Sequence, residues 1–323
     1  MNFNPIIIVG GEPQSIFLEI LFKAIKKIKI NKLSNPIVLI TSKDVINKNI
    51  KKFKVDYDLN YTNKYLNNLV KDKINLIDIP YKNFSFSKKI SSKSNFFLHK
   101  SFLVALNILK KKKCSGLISG PISKKTFLKG KYYGITEFLA SHTNSKDPVM
   151  LIFNKSLSVS PLTTHIPISN VANKVKKTDI VKKILIIKNF YKNFFNKVPK
   201  IALTGLNPHC ESFGKINTER DEIIPAIKLL KKKKCFVKGP YPADTIFLKE
   251  NISKFDVIFG MYHDQVLTPM KSIFGFNAIN ITLGLPFLRI TPDHGPNEKM
   301  VGKNQSNPES LIDAIKFFEN YAK

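Results

Sequence analysis

The stretch PIIIVGGEPQSIFLEILFKAIKKIKINKLSNPIVLIT, residues 5 to 41, decides the fold class. It begins with the apolar run 5 to 9 and ends with a second apolar run at 35 to 41, and both have the length of buried strands. Between them, residues 15 to 29 carry apolar side chains at helical spacing. This order predicts a βαβ unit, in which two parallel strands are covered by helices.

The same alternation continues along the chain. Strands are predicted at residues 74 to 80, 114 to 121, 149 to 153, 157 to 165, 201 to 208, 255 to 262 and 277 to 284. Helices are predicted at 94 to 113, at 178 to 195, from a capping-box-like start at Thr218 and Asp221, and after Asn307 and Pro308. We therefore expect an α/β protein, and its 323 residues favour two lobes.

Composition limits the classes of partner. The apolar content of 43% is typical of a globular protein, and the net charge is +30. A basic surface can bind nucleic-acid phosphates, but only Arg220 and Arg289 among the 53 basic residues are arginine, and the lysines are spread along the chain. We expect no nucleic-acid partner, with a non-catalytic basic binding protein as the alternative.

Cysteine usage and hydropathy predict the compartment. Cys114, Cys210 and Cys235 form no Cys-x-x-Cys pair and are too few for a disulfide framework, which favours a reducing environment. The first apolar run is too short for a signal peptide, and no run reaches the roughly 18 apolar residues of a membrane span. We expect a cytoplasmic protein without a membrane partner.

Common nucleotide and hydrolase motifs do not occur in the sequence. The residues after the first strand, GGEPQS, lack the glycines of the dinucleotide-binding fingerprint G-x-G-x-x-G. Neither the P-loop motif G-x-x-x-x-G-K-[ST] nor the hydrolase motif G-x-S-x-G is present. The sequence therefore argues against a Rossmann nucleotide site, a P-loop NTPase and an α/β-hydrolase.

Three of the six histidines share one context. His165, His209 and His263 each lie at or just beyond the carboxyl end of a predicted strand, the edge where open α/β sheets bind ligands. Three imidazoles with an open fourth position form a catalytic site for zinc or another divalent ion. The alternative is a hydrogen-bonded structural role for each histidine, which we expect for His99 inside its helix.

Other polar residues are candidates for roles beside a metal or a substrate. Asp264 follows His263, and the remaining candidates near predicted strand ends are Asp244, Asp293 and His294. Each has the chemistry of a base, a ligand or a group that orients a ligand, while a turn or helix-cap carboxylate is the alternative. Arg289 ends an apolar stretch, where a buried guanidinium suits a carboxylate or phosphate ligand or a structural ion pair.

Seven motifs occur in order between about residues 114 and 296. They are LISGPISKKTF, GITEFLA, TTHIPI, GLNPHCESFG, GPYPADTIF, MYHDQ and NITLGLPFLRITPDHG. Each alone is weak, but in this order and at these separations they resemble the motif series of the 4-hydroxythreonine-4-phosphate dehydrogenase family of vitamin B6 biosynthesis.

The resemblance implies a two-lobed α/β/α architecture like that of isocitrate and isopropylmalate dehydrogenases, without a Rossmann fingerprint. Residues 1 to 133 with about 285 to 323 would form the first lobe. Residues from about 134 to 284 would form the second lobe, with most metal and substrate residues and the dimer contacts. The implied assembly is a homodimer whose active site lies in a cleft near the subunit interface.

The resemblance also assigns roles to residues. His165, His209 and His263 would bind a divalent metal such as zinc, magnesium or cobalt, with ligands drawn from both subunits. The residues expected to contact the substrate are Thr136, Lys271, Asn280 and Arg289. Asp264, Asp293 and His294 are candidates for groups that orient the ligands. NAD would bind without a fingerprint, so its binding residues are not assigned.

The implied reaction is an oxidative decarboxylation. NAD oxidises the C3 hydroxyl of 4-phosphooxy-L-threonine, and loss of CO2 then yields 3-amino-2-oxopropyl phosphate for pyridoxal 5′-phosphate synthesis. A metal suits this chemistry because it polarises the C3 oxygen. Asp244, as proton acceptor, and Lys271 are the expected catalytic residues, and Lys271 and Arg289 would hold the anionic ends of the substrate.

Two departures from the family pattern leave alternatives open. Ile135 replaces a histidine that contacts the substrate, and its side chain cannot form hydrogen bonds. Residues 11 to 19 replace a glycine-rich loop with bulkier side chains, which we expect to bar close approach of a ligand. The first alternative is a paralogue that oxidises 4-phospho-threonate or 4-phospho-erythronate. A metal-dependent hydrolase that uses the three histidines is the alternative of another class.

Overall fold

The computed structural model describes residues 4–111, 113–128, 130–132, 134–211, 217–275 and 277–322. The chain divides into two compact units. Unit 1 comprises Met1–Asn144 and Leu285–Lys323, and unit 2 comprises Ser145–Gly284. Across the described ranges, no helix combines the length and the apolar character needed to cross a membrane. Strands and helices are numbered along the whole chain.

Unit 1 is built on a parallel sheet. Its strands are β1 (Ile6–Val9), β2 (Ile37–Thr41), β3 (Leu59–Tyr61), β4 (Ile74–Asp78), β5 (Gly116–Ser119) and β12 (Arg289–Pro292). They lie in the order β3-β4-β2-β1-β5-β12, and each neighbouring pair is parallel. All four residues of β1 are fully buried, as expected for a central parallel strand that is covered on both faces.

Helices cover this sheet. They are α1 (Phe17–Ile28), α2 (Lys43–Phe53), α3 (Asn95–Lys111), α4 (Ile135–His142) and α11 (Glu309–Tyr321). Helical turns at Ile30–Lys32, Ser92–Ser94, Lys124–Leu128 and Glu298–Met300 join the longer elements. Helix α1 buries Phe17, Ile20 and Leu21 at the spacing of one helix face, and it packs against α11.

Unit 2 has a mixed sheet. Its strands are β6 (Val149–Phe153), β7 (Ser158–Thr163), β8 (Lys200–Thr204), β9 (Phe236–Tyr241), β10 (Val257–Tyr262) and β11 (Ile279–Leu283). They lie in the order β11-β6-β7-β10-β8-β9. Strand β6 is antiparallel to both of its neighbours, whereas β7, β10, β8 and β9 are mutually parallel. The buried side chains of Val159, Ala202 and Ile258 belong to one core cluster of this unit.

The helices of unit 2 connect these strands. They are α5 (Val171–Lys174), α6 (Lys177–Phe195), α7 (Ile224–Lys232), α8 (Ala243–Ile246), α9 (Lys249–Ile252) and α10 (His263–Phe274). Short helical turns at Ile168–Asn170, Pro208–Cys210 and Glu219–Ile223 complete the unit. The predicted α/β alternation is confirmed, since every strand and helix predicted from the sequence overlaps an observed one.

The predicted start of the helix after residue 217 is wrong in detail. Thr218 already has helical dihedral angles, φ −61° and ψ −35°, and its side chain makes no capping hydrogen bond. Asn217 caps instead, because its Oδ1 accepts the backbone N–H of Arg220 at 2.8 Å. Asp221 accepts the N–H of Asn217 at 3.3 Å, so the reciprocal pair begins one residue earlier than predicted.

Helix α4 belongs to unit 1. The sequence places the lobe boundary near residue 134, whereas the structure places it after residue 144. Phe138 explains this placement, because its ring centroid lies 5.9 Å from that of Phe102 and 5.5 Å from that of Phe127. Thr136 and Ile135 are therefore part of unit 1. The chain returns to unit 1 at Leu285.

Candidate active site

Three neighbouring strands of unit 2 end at the same edge of the sheet. Strand β10 lies between β7 and β8 and is parallel to both. Tyr262, the last residue of β10, pairs with Thr163, the last residue of β7. The chain that leaves these three strand ends carries His165, His209 and His263. All three histidines thus follow the carboxyl ends of adjacent parallel strands.

Two of these histidines share a cavity in unit 2. The cavity has a volume of about 350 Å³, and its lining includes His165, Tyr262, His263 and Asp264. The ring centroids of His165 and His263 are 6.0 Å apart. Both imidazoles are half-buried, so they are accessible to a ligand yet held by the protein around them.

Asp264 fixes the ring of His263. Its Oδ1 lies 2.6 Å from Nδ1 of His263. An ionised carboxylate only accepts hydrogen bonds, so Nδ1 must carry the donated proton. In the neutral ring Nε2 then presents a lone pair, and imidazole ligands of metals are commonly held this way by a carboxylate.

His209 lies in a loop of unusual backbone geometry. It sits in the helical turn Pro208–Cys210 after β8, with φ +55°, and Cys210 follows with φ +61°. Few residues other than glycine adopt such angles, and those that do are often found at functional sites. Ser212 to Gly214, the end of the GLNPHCESFG motif, lie outside the described residues.

The arrangement of the histidines can be compared with the ligand set that a metal ion requires. Among the described residues of one chain, no group of three His, Cys, Asp or Glu side chains is placed to hold a metal ion. The paired imidazoles of His165 and His263, with Asp264 on the second ring, nevertheless have the donor chemistry of a divalent-metal site. The residues present therefore fit part of a ligand set, and the trio remains a prediction.

Two buried polar residues that the sequence did not single out hold the ends of these strands. Gln265 Oε1 accepts the hydroxyl of Thr204 at 2.8 Å and the N–H of Met261 at 2.7 Å, and its Nε2 donates to the carbonyl of Gly205 at 2.8 Å. Glu219 Oε1 accepts the N–H groups of Leu206 and Asn207 at 2.9 and 2.8 Å. Apart from the bond to Met261, four residues before Gln265, these contacts connect residues 12 to 61 positions apart in the chain, so local sequence patterns do not reveal them.

The other predicted residues of unit 2 lie on three elements. Lys271 is exposed in the last turn of α10, and Asp244 is exposed in the first turn of α8. Asn280 lies in β11 opposite Ile152, and its Oδ1 is buried without a hydrogen-bond partner among the described residues. A buried amide oxygen of this kind is costly unless a ligand or water satisfies it, which makes Asn280 a candidate ligand contact.

Arg289 carries an almost fully buried charge in unit 1. Its side chain is 1% exposed, with Nε and Nη2 donating to Ser119 Oγ at 3.0 and 2.9 Å and Nη1 donating to Thr136 Oγ1 at 3.1 Å. Burial lowers the pKa of Arg289 to about 10, an effect that the carboxylate of Glu137 opposes. The guanidinium therefore stays charged near neutral pH. Ser119, which the sequence did not single out, fixes its orientation.

The first loop of unit 1 packs into the protein. Gly11 has φ +70°, and a Cβ there would lie 2.4 Å from the carbonyl oxygen of Pro121, so only glycine fits. Glu12 is 1% exposed and accepts the hydroxyl of Ser94 at 2.8 Å and the N–H of Ser123 at 3.2 Å. Burial raises the pKa of Glu12, although these hydrogen bonds oppose the shift. Residues 16 to 18 are also buried, so the bulky side chains of this stretch contribute to the core of unit 1.

Asp293 and His294 also belong to unit 1. The N–H of Asp293 donates to Ser310 Oγ at 2.7 Å, and Nδ1 of His294 donates to the carbonyl of Gly295 at 3.0 Å. Burial lowers the pKa of His294, against smaller opposing effects of Gly295 and Asp293. His142, at the end of α4, contacts the carbonyl of Phe138 at 2.8 Å through Nδ1.

Comparison with solved structures defines the fold. The crystal structure of 4-hydroxythreonine-4-phosphate dehydrogenase from Klebsiella pneumoniae matches with a TM-score of 0.82 at 24% identity, over 99% of this chain and 100% of that chain. Isocitrate dehydrogenase from Methylococcus capsulatus matches with a TM-score of 0.52 at 12% identity, over 98% and 85%. The predicted isocitrate-dehydrogenase-like α/β fold is therefore confirmed.

Sequence comparison defines the family. The family model described as "Pyridoxal phosphate biosynthetic protein PdxA" matches residues 32–318. The 4-hydroxythreonine-4-phosphate dehydrogenase of Sulfurihydrogenibium sp. (strain YO3AOP1) is 36% identical over 312 residues, which cover 94% of each chain. The chain belongs to the PdxA family of pyridoxal phosphate biosynthetic proteins, and the resemblance inferred from the seven motifs is confirmed.

Proposed function

We propose that this protein is an NAD- and divalent-metal-dependent dehydrogenase of 4-phosphooxy-L-threonine in pyridoxal 5′-phosphate biosynthesis. It oxidises the C3 hydroxyl and releases CO2, which leaves 3-amino-2-oxopropyl phosphate. The observation that carries the proposal is the cavity shared by His165, His263 and Asp264 in a chain of the PdxA family.

The metal is assigned to His165, His209 and His263. Support comes from the 6.0 Å separation of the ring centroids of His165 and His263. Further support comes from the contact between the Asp264 carboxylate and Nδ1 of His263, which leaves Nε2 for a metal. The ion, whether zinc, magnesium or cobalt, would polarise the C3 oxygen of the substrate when bound. A homodimer in the cytoplasm, with ligands drawn from both subunits, is part of the proposal and rests on the family resemblance.

The chain's own residues bind and orient the substrate. Arg289 is buried, charged and held by Ser119 and Thr136, so its guanidinium is preorganised for a phosphate or carboxylate. Lys271 supplies a second cation for the other anionic end, and the buried Oδ1 of Asn280 is suited to accept a hydrogen bond from the substrate. Cations at both ends would fix the position of C3.

The proton and hydride of the oxidation have separate destinations. Asp244 accepts the C3 hydroxyl proton; its carboxylate is exposed at the start of α8 and thus accessible to a bound substrate. NAD, when bound, would supply the acceptor for the hydride of C3. Loss of the carboxylate as CO2 leaves an electron pair at C2, which a proton then neutralises, and Lys271 is the candidate donor. The proton and the hydride thus each have an acceptor, and CO2 leaves as a free product.

Ile135 favours a second candidate function. Its apolar side chain stands one residue before Thr136, which bonds Arg289, where the family pattern has a hydrogen-bonding histidine. A substrate without the amino group of 4-phosphooxy-threonine would place fewer demands on hydrogen bonding. The second candidate is therefore a dehydrogenase of 4-phospho-threonate or 4-phospho-erythronate.

A single assay separates these functions. Purified protein is incubated with NAD, a divalent metal and either 4-phosphooxy-L-threonine, 4-phospho-threonate or 4-phospho-erythronate, and NADH is followed by its absorbance. We expect NADH with 4-phosphooxy-L-threonine and none from a His209→Ala variant. Turnover of another substrate alone would support the paralogue. Release of inorganic phosphate without NADH would support a metal-dependent hydrolase and refute both dehydrogenase assignments.

A further inference from the structure

We infer that Glu219 and Gln265 are positioning residues that hold the loops of His209 and His263 for metal binding. The inference rests on the proposed function, because it concerns the same three histidines. Both residues lie in unit 2 and both are buried. Neither has a part in the proposed reaction.

Glu219 anchors the loop that carries His209. Its carboxylate accepts two backbone N–H groups, from Leu206 and Asn207, and the Nδ2 of Asn207 donates to Oε2 at 3.0 Å. Glu219 is 2% exposed. Burial alone would raise its pKa, but the hydrogen bonds from Asn207 and Leu206 outweigh burial and lower the pKa of Glu219. The anchor is thus an ionised carboxylate, whose charge strengthens each hydrogen bond.

The anchored residues immediately precede the unusual turn. Asn207 is two residues before His209, whose φ of +55° costs free energy that surrounding contacts must offset. The turn is also close-packed, since a Cβ on Gly205 would lie 2.8 Å from Sγ of Cys210. A loop held at Leu206 and Asn207 and packed at Gly205 has little freedom to move the imidazole of His209.

Gln265 connects this loop to strand β10, which ends directly before His263. Through Oε1 it binds Thr204 in β8 and Met261 in β10, and through Nε2 it binds Gly205. Met261 is two residues before His263, and Gly205 is four residues before His209. One buried amide therefore fixes the ends of two adjacent strands, and each end leads into a predicted ligand. Removal of residues that orient metal ligands typically weakens metal binding by about 10- to 100-fold.

The test compares Glu219→Gln and Gln265→Met with a matched control, Tyr191→Phe. Tyr191 is also buried in unit 2 and donates a hydrogen bond to Ser158 at 2.9 Å, at the opposite end of β7 from His165. Calorimetry gives the Kd of each full-length protein for Co2+. Hydrogen exchange gives the protection of the Leu206, Asn207 and Met261 amides without metal.

We expect a Kd raised about tenfold or more in Glu219→Gln and in Gln265→Met, and unchanged in Tyr191→Phe. The Leu206 and Asn207 amides should exchange slowly in the unaltered protein and faster in Glu219→Gln. Rapid exchange in the unaltered protein would overturn the inference even if no variant folds. An unchanged Kd in both variants, or an equal loss in Tyr191→Phe, would also overturn it. If the unaltered protein binds Co2+ no better than His209→Ala, the proposed metal centre itself fails.

Discussion

Nδ1 of His263 lies 2.6 Å from Oδ1 of Asp264, the next residue in the chain. The two residues open helix α10, so the carboxylate lies in the first turn, where the helix dipole stabilises negative charge. The same carboxylate fixes the proton on Nδ1 of the neutral ring and leaves Nε2 to bind a metal. A single short contact therefore sets both the orientation and the tautomer of the predicted ligand.

Replacing Asp264 with alanine should weaken metal binding. Without its carboxylate the His263 ring is free to rotate, and we expect the Kd for Co2+ to rise about 10- to 100-fold. Asp179→Ala is the matched control, because Asp179 is also an exposed acid in a helix first turn, that of α6. Calorimetry on metal-free protein measures both. Equal Kd values for Asp264→Ala and the unaltered protein would contradict the role assigned to Asp264.

Replacing Arg289 with lysine should weaken substrate binding. Lysine keeps the charge but cannot bond Ser119 and Thr136 from one planar group as the guanidinium does. We expect the KM for the phosphorylated substrate to rise about tenfold or more, which corresponds to the loss of one charged hydrogen bond of about 1.5–3 kcal/mol. The exposed Arg220, the only other arginine, provides the control Arg220→Lys. Similar KM values for the two variants would argue against a substrate role for Arg289.

Replacing Ile135 with histidine should restore the family's hydrogen-bonding group. The residue is half-buried at the start of α4, directly before Thr136. If the substrate is 4-phosphooxy-L-threonine, we expect its KM to fall by up to about tenfold. The reason is that one added hydrogen bond stabilises the bound substrate by roughly 1 kcal/mol or slightly more. The control is Ile224→His, an exposed isoleucine of unit 2 in helix α7. A rise in KM would show that the site is built around an apolar side chain, as the paralogue requires.

His294 should make unit 1 sensitive to acid. Burial lowers its pKa below the ordinary 6.5, so below that pH the unfolded chain binds more protons than the folded one. Above about pH 6.5 the titration of His294 therefore does not lower the free energy of unfolding. Below that pH the free energy of unfolding decreases as the pH falls towards the folded-state pKa of His294. We expect the drop in Tm between about pH 7.5 and about pH 5.5 to be smaller in His294→Phe than in the unaltered protein. An exposed histidine, His99, gives the control His99→Phe. Identical drops in the three proteins would exclude His294 as the titrating group.

Much of the fold followed from short-range patterns. The strands that end near His165, His209 and His263 are apolar runs of typical strand length, so the shared edge was predictable without a structure. Helix α10 was not predicted, because Pro269 lies inside it and its polar first turn gives no apolar stripe. The cap at Asn217 was missed because Thr218 is also a capping residue type and has an acidic residue, Asp221, three positions later.

The hydrogen bonds that hold the site residues in place could not be predicted from the sequence for another reason. Glu219 in TERDE has the pattern of an ordinary first-turn acid, and only the fold brings it to the backbone of Leu206 and Asn207. The same holds for Arg289 and Ser119, which are 170 residues apart in the chain. Contacts of this separation depend on the order of strands in the sheet, which a single sequence specifies only indirectly.

The most direct test of the account is a product balance with carboxyl-labelled 4-phosphooxy-L-threonine. The unaltered protein is incubated with NAD and a divalent metal, and NADH and labelled CO2 are measured together with inorganic phosphate. The account predicts NADH and CO2 in equal amounts, no phosphate release, and loss of both products in His209→Ala. Phosphate without NADH, or equal turnover by His209→Ala, would contradict it.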